Sequence, residues 1–573
     1  MSTDKHIQKL SLKVIGLEHI NDFQPIYFAG EEIISADFKL ILQGITKNLN
    51  IRADDLLGQT LTVKLQTENY QARYFNGVVA NFTAANVDAY GFREYELILR
   101  PWLYGLKLVK DCRIFQQKNA VQIVKQLCQE HGFTDLDTSR LKVEYASLPY
   151  IVQYNETTHH FIHRLLAEAN IYYYYRHQHN RHMLILQDNN VNISASNSPK
   201  YYYSYQKLPR LKSSTKRIIH WTNTVSANPQ QFANVSTAIS DDLDLKLNDR
   251  IVINADDFQR RVIKLTHTIG CLQHSSRAMD ESLNTAESGL ANYHNEFSAV
   301  AAGTPLKLKS FAKPNPGGTH SAIVCGPKGK VIFTNAKGWV KLHFPWDRYG
   351  QYDGNDSVWI PVAQLQVGDD YGTQFIPRIG DEVQVEFIAA DIDQPVVLGS
   401  VFNGSQPPIY PTEDASKAIS GIKTQLIGCN AKGEEQQLPQ GHELRFDDSL
   451  EDESIKLLSA GDLNITVMGD FIKTVNADAS LVIDQSYLLS LLNGRAEIQA
   501  KEILLQCGQS QLQFNAKGLK VKTADRIFLQ AKGVGGTYAV ARVGDKHHCP
   551  RVVNNHPCGE QTIITGSAIL KVN

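Results

Sequence analysis

The chain lacks any long apolar run, and a helix needs roughly 20 consecutive apolar residues to span a bilayer, so no transmembrane helix is expected. Its start, MSTDKHIQKLSLKVIG, lacks the apolar region of a secretory signal. Synthesis in the cytoplasm is therefore expected, with any export through a machine that needs no cleaved N-terminal signal. An excess of either charge is also missing: 58 Lys and Arg stand against 59 Asp and Glu, a formal net charge of -1. A dedicated nucleic-acid binder usually carries a basic excess, so nucleic acid is not an expected partner. Disulfide-scaffold spacing is absent too. Cys112, Cys128, Cys271, Cys325, Cys429 and Cys507 lie far apart and read as reduced thiols, several of them in cores. Cys549 and Cys558 are close together and are considered below.

What is present is an ordinary soluble composition, 42% hydrophobic and 20% charged over 573 residues. That length has room for about three or four domains with sizeable cores. The clearest module runs from Gly338 to Pro411. Trp339, Lys341 and His343 alternate with Val340, Leu342 and Phe344; Glu382, Gln384 and Glu386 alternate with Val383, Val385 and Phe387. Period-two alternation marks strands with one buried face. Glycines at 338, 350, 354, 372, 380, 399 and 404 punctuate them as turns, and short strands at this spacing predict a small barrel.

Upstream, to about residue 315, alternating runs are broken by two predicted helices. One starts at Asn119, a good N-cap; Val121, Val124 and Cys128 line one face beside Ala120, Ile123 and Leu127, and Gly132 ends it. The other runs from about Thr158 to Ala169, with Phe161, Ile162, Leu165 and Leu166 on its apolar face, and an aromatic strand follows from Ile171 to Tyr175. On the second helix His159 and His163 stand at i and i+4, the spacing of a metalloprotease zinc pair. The glutamate that should follow the first histidine is replaced by His160, so the general base is missing, and the two are expected to face solvent. Trp221, Tyr293 and Phe297 are expected in cores. KSFAKPNPGGTHSAIVCGPKG, residues 309–329, reads as a linker.

Past Pro411 come short apolar alternations at Ile455/Leu457, Leu463/Ile465/Val467, Leu481/Ile483, Ile503/Leu505/Cys507, Leu512/Phe514, Leu519/Val521 and Ile527/Leu529. A repeat of roughly eight to ten residues signals a β-solenoid or β-prism. So few apolar residues per strand are hard to bury in one chain, and short strands expose edges; three chains wound together cover both. The acidic cluster Asp447, Asp448, Glu451, Asp452 and Glu453 lacks EF-hand spacing and reads as a structural turn. At the far end His547, His548, Cys549, His556 and Cys558 crowd together in an HHC-x6-H-x-C pattern; imidazole and thiolate suit zinc, although this is not a standard finger spacing.

FPWDRYG, WIPVAQ, FIPRIGDEV and PVVLGSVFNG resemble the VgrG spike proteins of type VI secretion systems. So do the stretches YELILRPWLYGLKLVKDC and VQYNETTHHFIHRLLAEANIYYYYRH, and later GHELRFDDS, GDLNITVMGD and ILLQCGQSQLQF. The resemblance implies a mainly β chain with a few helices: a phage tail-hub-like domain of mixed β-barrels at 1–315, a linker or neck at 316–335, and an OB-fold needle base at 336–411. A trimeric β-helix or β-prism needle and its extension would follow at 412–535, and a partial PAAR-like tip at 536–573. The phage needle carries a lysozyme between barrel and prism; the roughly thirty residues from Pro411 to Gly441 leave no room for a catalytic domain, so no catalytic residue is expected.

Ala539-Val540-Ala541-Arg542 stands in the tip segment where the PAAR repeat has Pro-Ala-Ala-Arg. The resemblance implies zinc there, with His548 and His556 as ligands and Cys558 or Cys549 as the thiolate. Neighbouring His547 and His548 point to opposite sides of an extended chain, so they are not expected to share an ion. The alternative is a tail with redox-labile thiols and no metal. As function the resemblance implies a non-enzymatic homotrimeric spike. It would cap the tube of haemolysin-coregulated protein (Hcp), contact baseplate components, and pierce a target membrane mechanically. It would carry a PAAR tip, effectors or adaptors, and leave the cell through the type VI system. The alternatives are a spike bearing a toxin enzyme beyond residue 573, a phage-type tail hub and needle, and an OB-type single-strand binder with salt-sensitive affinity.

Overall fold

Alternation along the N-terminal strands decides which faces are buried, and the buried faces make two cores. The computed structural model describes residues 10–17, 20, 22–67, 71–189, 201–204, 216–225, 234–240, 242–253, 259–271, 291–410, 412–413, 417–523, 526–528 and 540–542. One 12-stranded sheet carries most of the strands described up to Ala301. Its first half runs in the order Leu10–Ile15, Thr60–Thr67, Arg73–Val87, Arg93–Arg100, Lys39–Thr46, Gln24–Ile33. It continues through Gln259–Cys271, Arg250–Ile253, Tyr201–Ser204, Lys216–Val225 and Asn234–Ser240 to Ala291–Ala301. Ala291–Ala301 also pairs directly with Gln259–Cys271, so this second half closes on itself as a barrel.

Among the described residues three α-helices punctuate the strands: α1 (Ala53–Leu56), α2 (Ala120–Glu130) and α3 (Thr158–Glu168). α2 begins as expected. The Asn119 side chain accepts from the Gln122 N–H and the Gln122 side chain accepts from the Asn119 N–H, a reciprocal capping box. Ala120, Val121, Ile123, Val124, Leu127 and Cys128 are its buried residues, and Gly132 follows with φ +78°. α3 is capped by Thr157, whose hydroxyl accepts from the His160 N–H, and it buries Phe161, Ile162, Leu165 and Leu166.

The aromatic strand Ile171–His177 is buried on both faces through Tyr175. Tyr173 and Tyr175 enter one core with Phe28, Leu97 and Phe161; Tyr172 and Tyr174 enter the other with Ile251, Leu265 and Phe297. Successive side chains point to opposite faces, so one strand serves both cores. Tyr293 packs against the first core and Phe297 lies within the second, as expected. The side chain of Trp221 lies outside the described residues.

The linker expected over 309–329, and over 316–335 as a domain boundary, requires correction. His320–Cys325 is a strand inside the following barrel, paired with both Lys341–His343 and Glu382–Phe387. Ala322, Val324 and Cys325 are buried in it. The Pro and Gly cluster at 314–318 does turn the chain, but the alternation of HSAIVC makes a strand immediately after it. The barrel sheet runs Lys341–His343, His320–Cys325, Glu382–Phe387, Pro395–Ser400. Bridges Val362–Val397 and Val340–Ile360 close the ring. Val340, Leu342, Phe344, Val383, Val385 and Phe387 fill it, as their alternation predicted.

The first compact unit extends to Asn464, past the boundary expected at 411. Glu435, on the hairpin Ile427–Cys429/Glu435–Gln437, pairs with Lys330 at 2.7 Å and accepts from the Val331 N–H. Arg378 donates to the Gln425 carbonyl. The acidic cluster is the turn between strands Glu443–Asp447 and Ser454–Leu458, where Asp447 pairs with Arg445 at 2.6 Å.

The second unit, residues 465–573, contains the meander Glu502–Cys507, Ser510–Asn515, Gly518–Lys522, where strands were expected. Strands expected around Leu463/Ile465/Val467 and Leu481/Ile483 are not laddered: residues 459–501 form no hydrogen-bonded strand in the single chain. A strand exists only against a partner, and none of the described segments of the same chain supplies one there. Val540–Arg542 pairs with Arg526–Phe528.

Candidate functional site

Two places concentrate chemistry that the fold must explain: the joint between hub and barrel, and the histidines of the hub. The joint is built on the strand Leu148–Thr157. Ile151 faces the hub core, whereas Tyr150 and Val152, on the opposite face, enter the barrel core beside Val324 and Phe387. The Val152 N–H donates to Asp393 at 2.8 Å. Lys313, just before the barrel's first strand, pairs with Asp391 and Asp393 at 3.1 and 2.9 Å. Arg348 and Tyr349 of the FPWDRYG motif both reach Asp111 of the hub. His320 accepts from the Trp346 indole and lies 2.9 Å from the Pro316 carbonyl. The motif that dominates the barrel sequence is thus a seam between domains.

α3 is clamped to the same strand from the hub side. Arg164 is wholly buried, 2.7 Å from Glu156 and 3.1 Å from the Val152 carbonyl, with Glu168 at 3.4 Å. Its charge is held by those carboxylates although burial opposes it.

His159 and His163 do not face solvent, which corrects the sequence expectation. Their side chains are 12% and 4% exposed. Residues one helical turn apart share a face, and here that face meets Asp37, in the turn before strand Lys39–Thr46. His159 Nε2 lies 2.8 Å from Asp37 Oδ2 and 2.9 Å from His163 Nε2; His163 Nε2 lies 4.0 Å from Asp37 Oδ1. His163 Nδ1 is 2.8 Å from the Tyr173 hydroxyl, and Tyr175 donates to Asp37 Oδ1 at 3.3 Å. Lys107 stands 3.3 Å from Asp37, and the Phe311 ring packs on His163. Burial, with His159 beside it, drops His163 to about 3. Burial would raise Asp37, but the contact to His159 and the neighbouring cations hold it down at about 2. Asp37 was missed in the sequence because 122 residues separate it from His159.

Deeper in the hub, Glu32, Arg73, His177 and His267 form a buried polar network. Glu32 lies 2.8 Å from His177 Nε2 and 3.7 Å from His267 Nε2. Arg73 donates to the carbonyls of Leu243 and Leu245 and stands 3.8 Å from Glu32. An arginine inside the cluster supplies the cation, so its charges close on themselves. In the barrel His343, placed by alternation on a polar face, is buried against Asp356 at 2.8 Å beneath the stacked Tyr352 ring. Gly350 is needed there, because a Cβ would sit 2.4 Å from His343 Nδ1. Burial pushes the thiols of Cys128 and Cys325 up to about 12, which makes them inert core residues. Cys429 and Cys507 are exposed. The expected zinc ligands His548, Cys549, His556 and Cys558 lie outside the described residues. Among the described residues, Asp37, His159 and His163 are the group arranged to hold a metal ion.

Residues 31–237 match the phage tail baseplate hub family, and residues 333–402 match the type VI secretion system/phage-baseplate injector OB domain. The chain is 29% identical over 514 residues to the type VI secretion system spike protein VgrG1c of Pseudomonas aeruginosa, covering 79% of this chain and 69% of that protein. It is 28% identical over 590 residues to VgrG1a of the same organism, covering 88% and 90%. Among solved structures, an E. coli type VI secretion component described as similar to the T4 tail proteins gp27 and gp5 superposes with a TM-score of 0.52 at 18% identity. That match covers 68% of this chain and all of that one, and it is a likeness of fold. The hub sheet, the barrel seam and the sequence relatives agree: over most of its length the chain is similar to the VgrG spike proteins of type VI secretion systems.

Proposed function

We propose that the chain acts as a non-enzymatic homotrimeric spike of a type VI secretion system. Three hubs form the ring that caps the Hcp tube at the baseplate. Three barrels make the neck, and three copies of the segment beyond it wind into a needle that pierces the target envelope and carries effectors or a tip protein. The spike is secreted through the same machine. Its work is mechanical, and association takes the place of catalysis.

The observation that carries this reading is the bare apolar segment at 463–498. Leu463, Ile465, Phe471, Leu481 and Leu488 are 58%, 67%, 71%, 71% and 86% exposed in the single chain. Contiguous exposed apolar surface of this extent marks an interface. Unladdered strands with alternating apolar residues find both burial and hydrogen bonds when identical chains wind around them. The test is absolute mass by light scattering on a sizing column. Three copies of the 64.1 kDa chain, about 192 kDa, are expected and should persist on dilution, because a wound needle has no stable monomer. A stable 64.1 kDa species would sink the proposal.

A further inference from the structure

We infer that Asp37, His159 and His163 form a binding site for a divalent transition-metal cation of the zinc class, fastening helix α3 to the turn before strand Lys39–Thr46. The inference stands on hub geometry and does not rest on the spike reading.

The three side chains converge on one point. One carboxylate and two imidazole nitrogens lie within 4.8 Å of one another: Asp37 Oδ2 is 2.8 Å and His163 Nε2 is 2.9 Å from His159 Nε2, and the other carboxylate oxygen, Oδ1, is 4.0 Å from His163 Nε2. Ligands at 2.0–2.2 Å from a tetrahedral ion stand about 3.3 Å apart, so these separations bracket what zinc requires. The protons available do not satisfy these contacts. Both short contacts of His159 run through the same atom, Nε2, which carries at most one proton. If that proton points to Asp37, His163 Nε2 meets an N–H with no lone pair to accept. If it points to His163, the 2.8 Å contact to Asp37 has no proton. A cation at the centre accepts a lone pair from all three atoms and removes the conflict.

The surrounding shell holds these side chains in place. His163 Nδ1 faces the Tyr173 hydroxyl at 2.8 Å, the outer partner that fixes the ring and directs Nε2 inward. Tyr175 holds Asp37 Oδ1 in the same way. Lys107 is the present counter-ion of Asp37; it is 41% exposed on a flexible stem and turns out to solvent when a divalent ion enters. Two imidazoles and one carboxylate suit zinc and its neighbours cobalt and nickel, and disfavour magnesium and calcium. Because His160 stands where a zinc protease has its glutamate, and its Nδ1 is engaged by Glu156 at 2.6 Å, the site has no general base. The ion is therefore structural.

The experiment uses the full-length protein with the C-terminal set removed (H548A, C549S, H556A, C558S), so that any metal bound reports on the hub. The protein is stripped with chelator and reloaded with zinc, and retained metal is measured after gel filtration. The same protein is titrated with cobalt for its visible absorption, and its thermal midpoint is recorded with and without zinc. One zinc per chain is expected, with a cobalt spectrum of tetrahedral intensity and a higher midpoint. His163→Asn and Asp37→Asn should abolish all three, and Tyr173→Phe should weaken binding roughly 10–100-fold, as loss of an outer-shell partner does. His160→Ala should change nothing. Should His163→Asn fail to fold by near-ultraviolet circular dichroism, His159→Gln, nearer the surface, takes its place. Undiminished zinc binding in the folded ligand variants overturns the inference, as does a parent protein that retains neither metal and shows no shift.

Discussion

At the residue scale the hub keeps neutral imidazoles in its interior. His267 is fully buried, 3.7 Å from Glu32 and beside Arg73. Burial, reinforced by Arg73, lowers it from 6.5 to about 4 against the pull of Glu32. The sign follows from linkage. Between 6.5 and about 4 the unfolded chain binds a proton that the folded chain refuses, so stability falls as pH falls through that window and levels off below it. For this one group the loss by pH 4 is about 3 kcal/mol. Unfolding midpoints measured from pH 7 to pH 4 should drop, and His267→Asn should flatten the drop; parallel curves for the two proteins would refute the assignment. None of this was legible from the chain. His267 occupies an alternating position in a long strand, and only the fold brings Glu32 and Arg73 to it. His159 and His163 show the same limit: helical spacing gave the pair correctly, but a sequence cannot place Asp37 over them.

At the element scale, what was legible is what is local. The cap at Asn119, the apolar face of α2 and the period-two strands of the barrel are written within a few residues of where they act. Strands with two buried faces are harder to read, because alternation between two cores looks like a plain apolar run, as it does in IYYYY. The strand HSAIVC was hidden by the Pro-Gly cluster before it and the Gly-Pro turn after it. α3 shows how one buried charge can fix an element. Arg164→Ala would leave Glu156, itself 6% exposed, without its cation, and loss of one partner of a buried pair costs about 3–5 kcal/mol. Denaturant unfolding should show a loss of that size, while the exposed Arg52→Ala should change little. A loss under about 1 kcal/mol would mean that the pair contributes no net stability.

At the scale of the whole molecule, the contrast is between a first unit built around three buried cores and a segment after it that buries none of its described large apolar residues. Leu481→Asp would place a charge where the wound needle is proposed to bury a leucine. The variant should lose trimer on dilution with the near-ultraviolet spectrum of the hub unchanged; a variant that keeps full trimer mass would show that this residue stays in water after assembly. The strand Leu148–Thr157 has a different kind of consequence. Because its two faces belong to two cores, hub and barrel are expected to exchange between relatives only as one piece. A recombination event that joined the hub of one spike to the barrel of another would break Tyr150 and Val152 from the residues shaped to receive them, along with the Asp111, Asp391 and Asp393 contacts. Breakpoints between 309 and 336 should therefore yield insoluble chimeras. Exchanges after Asn464, where the first compact unit ends, should be tolerated, leaving the sequence beyond that point free to diverge on its own.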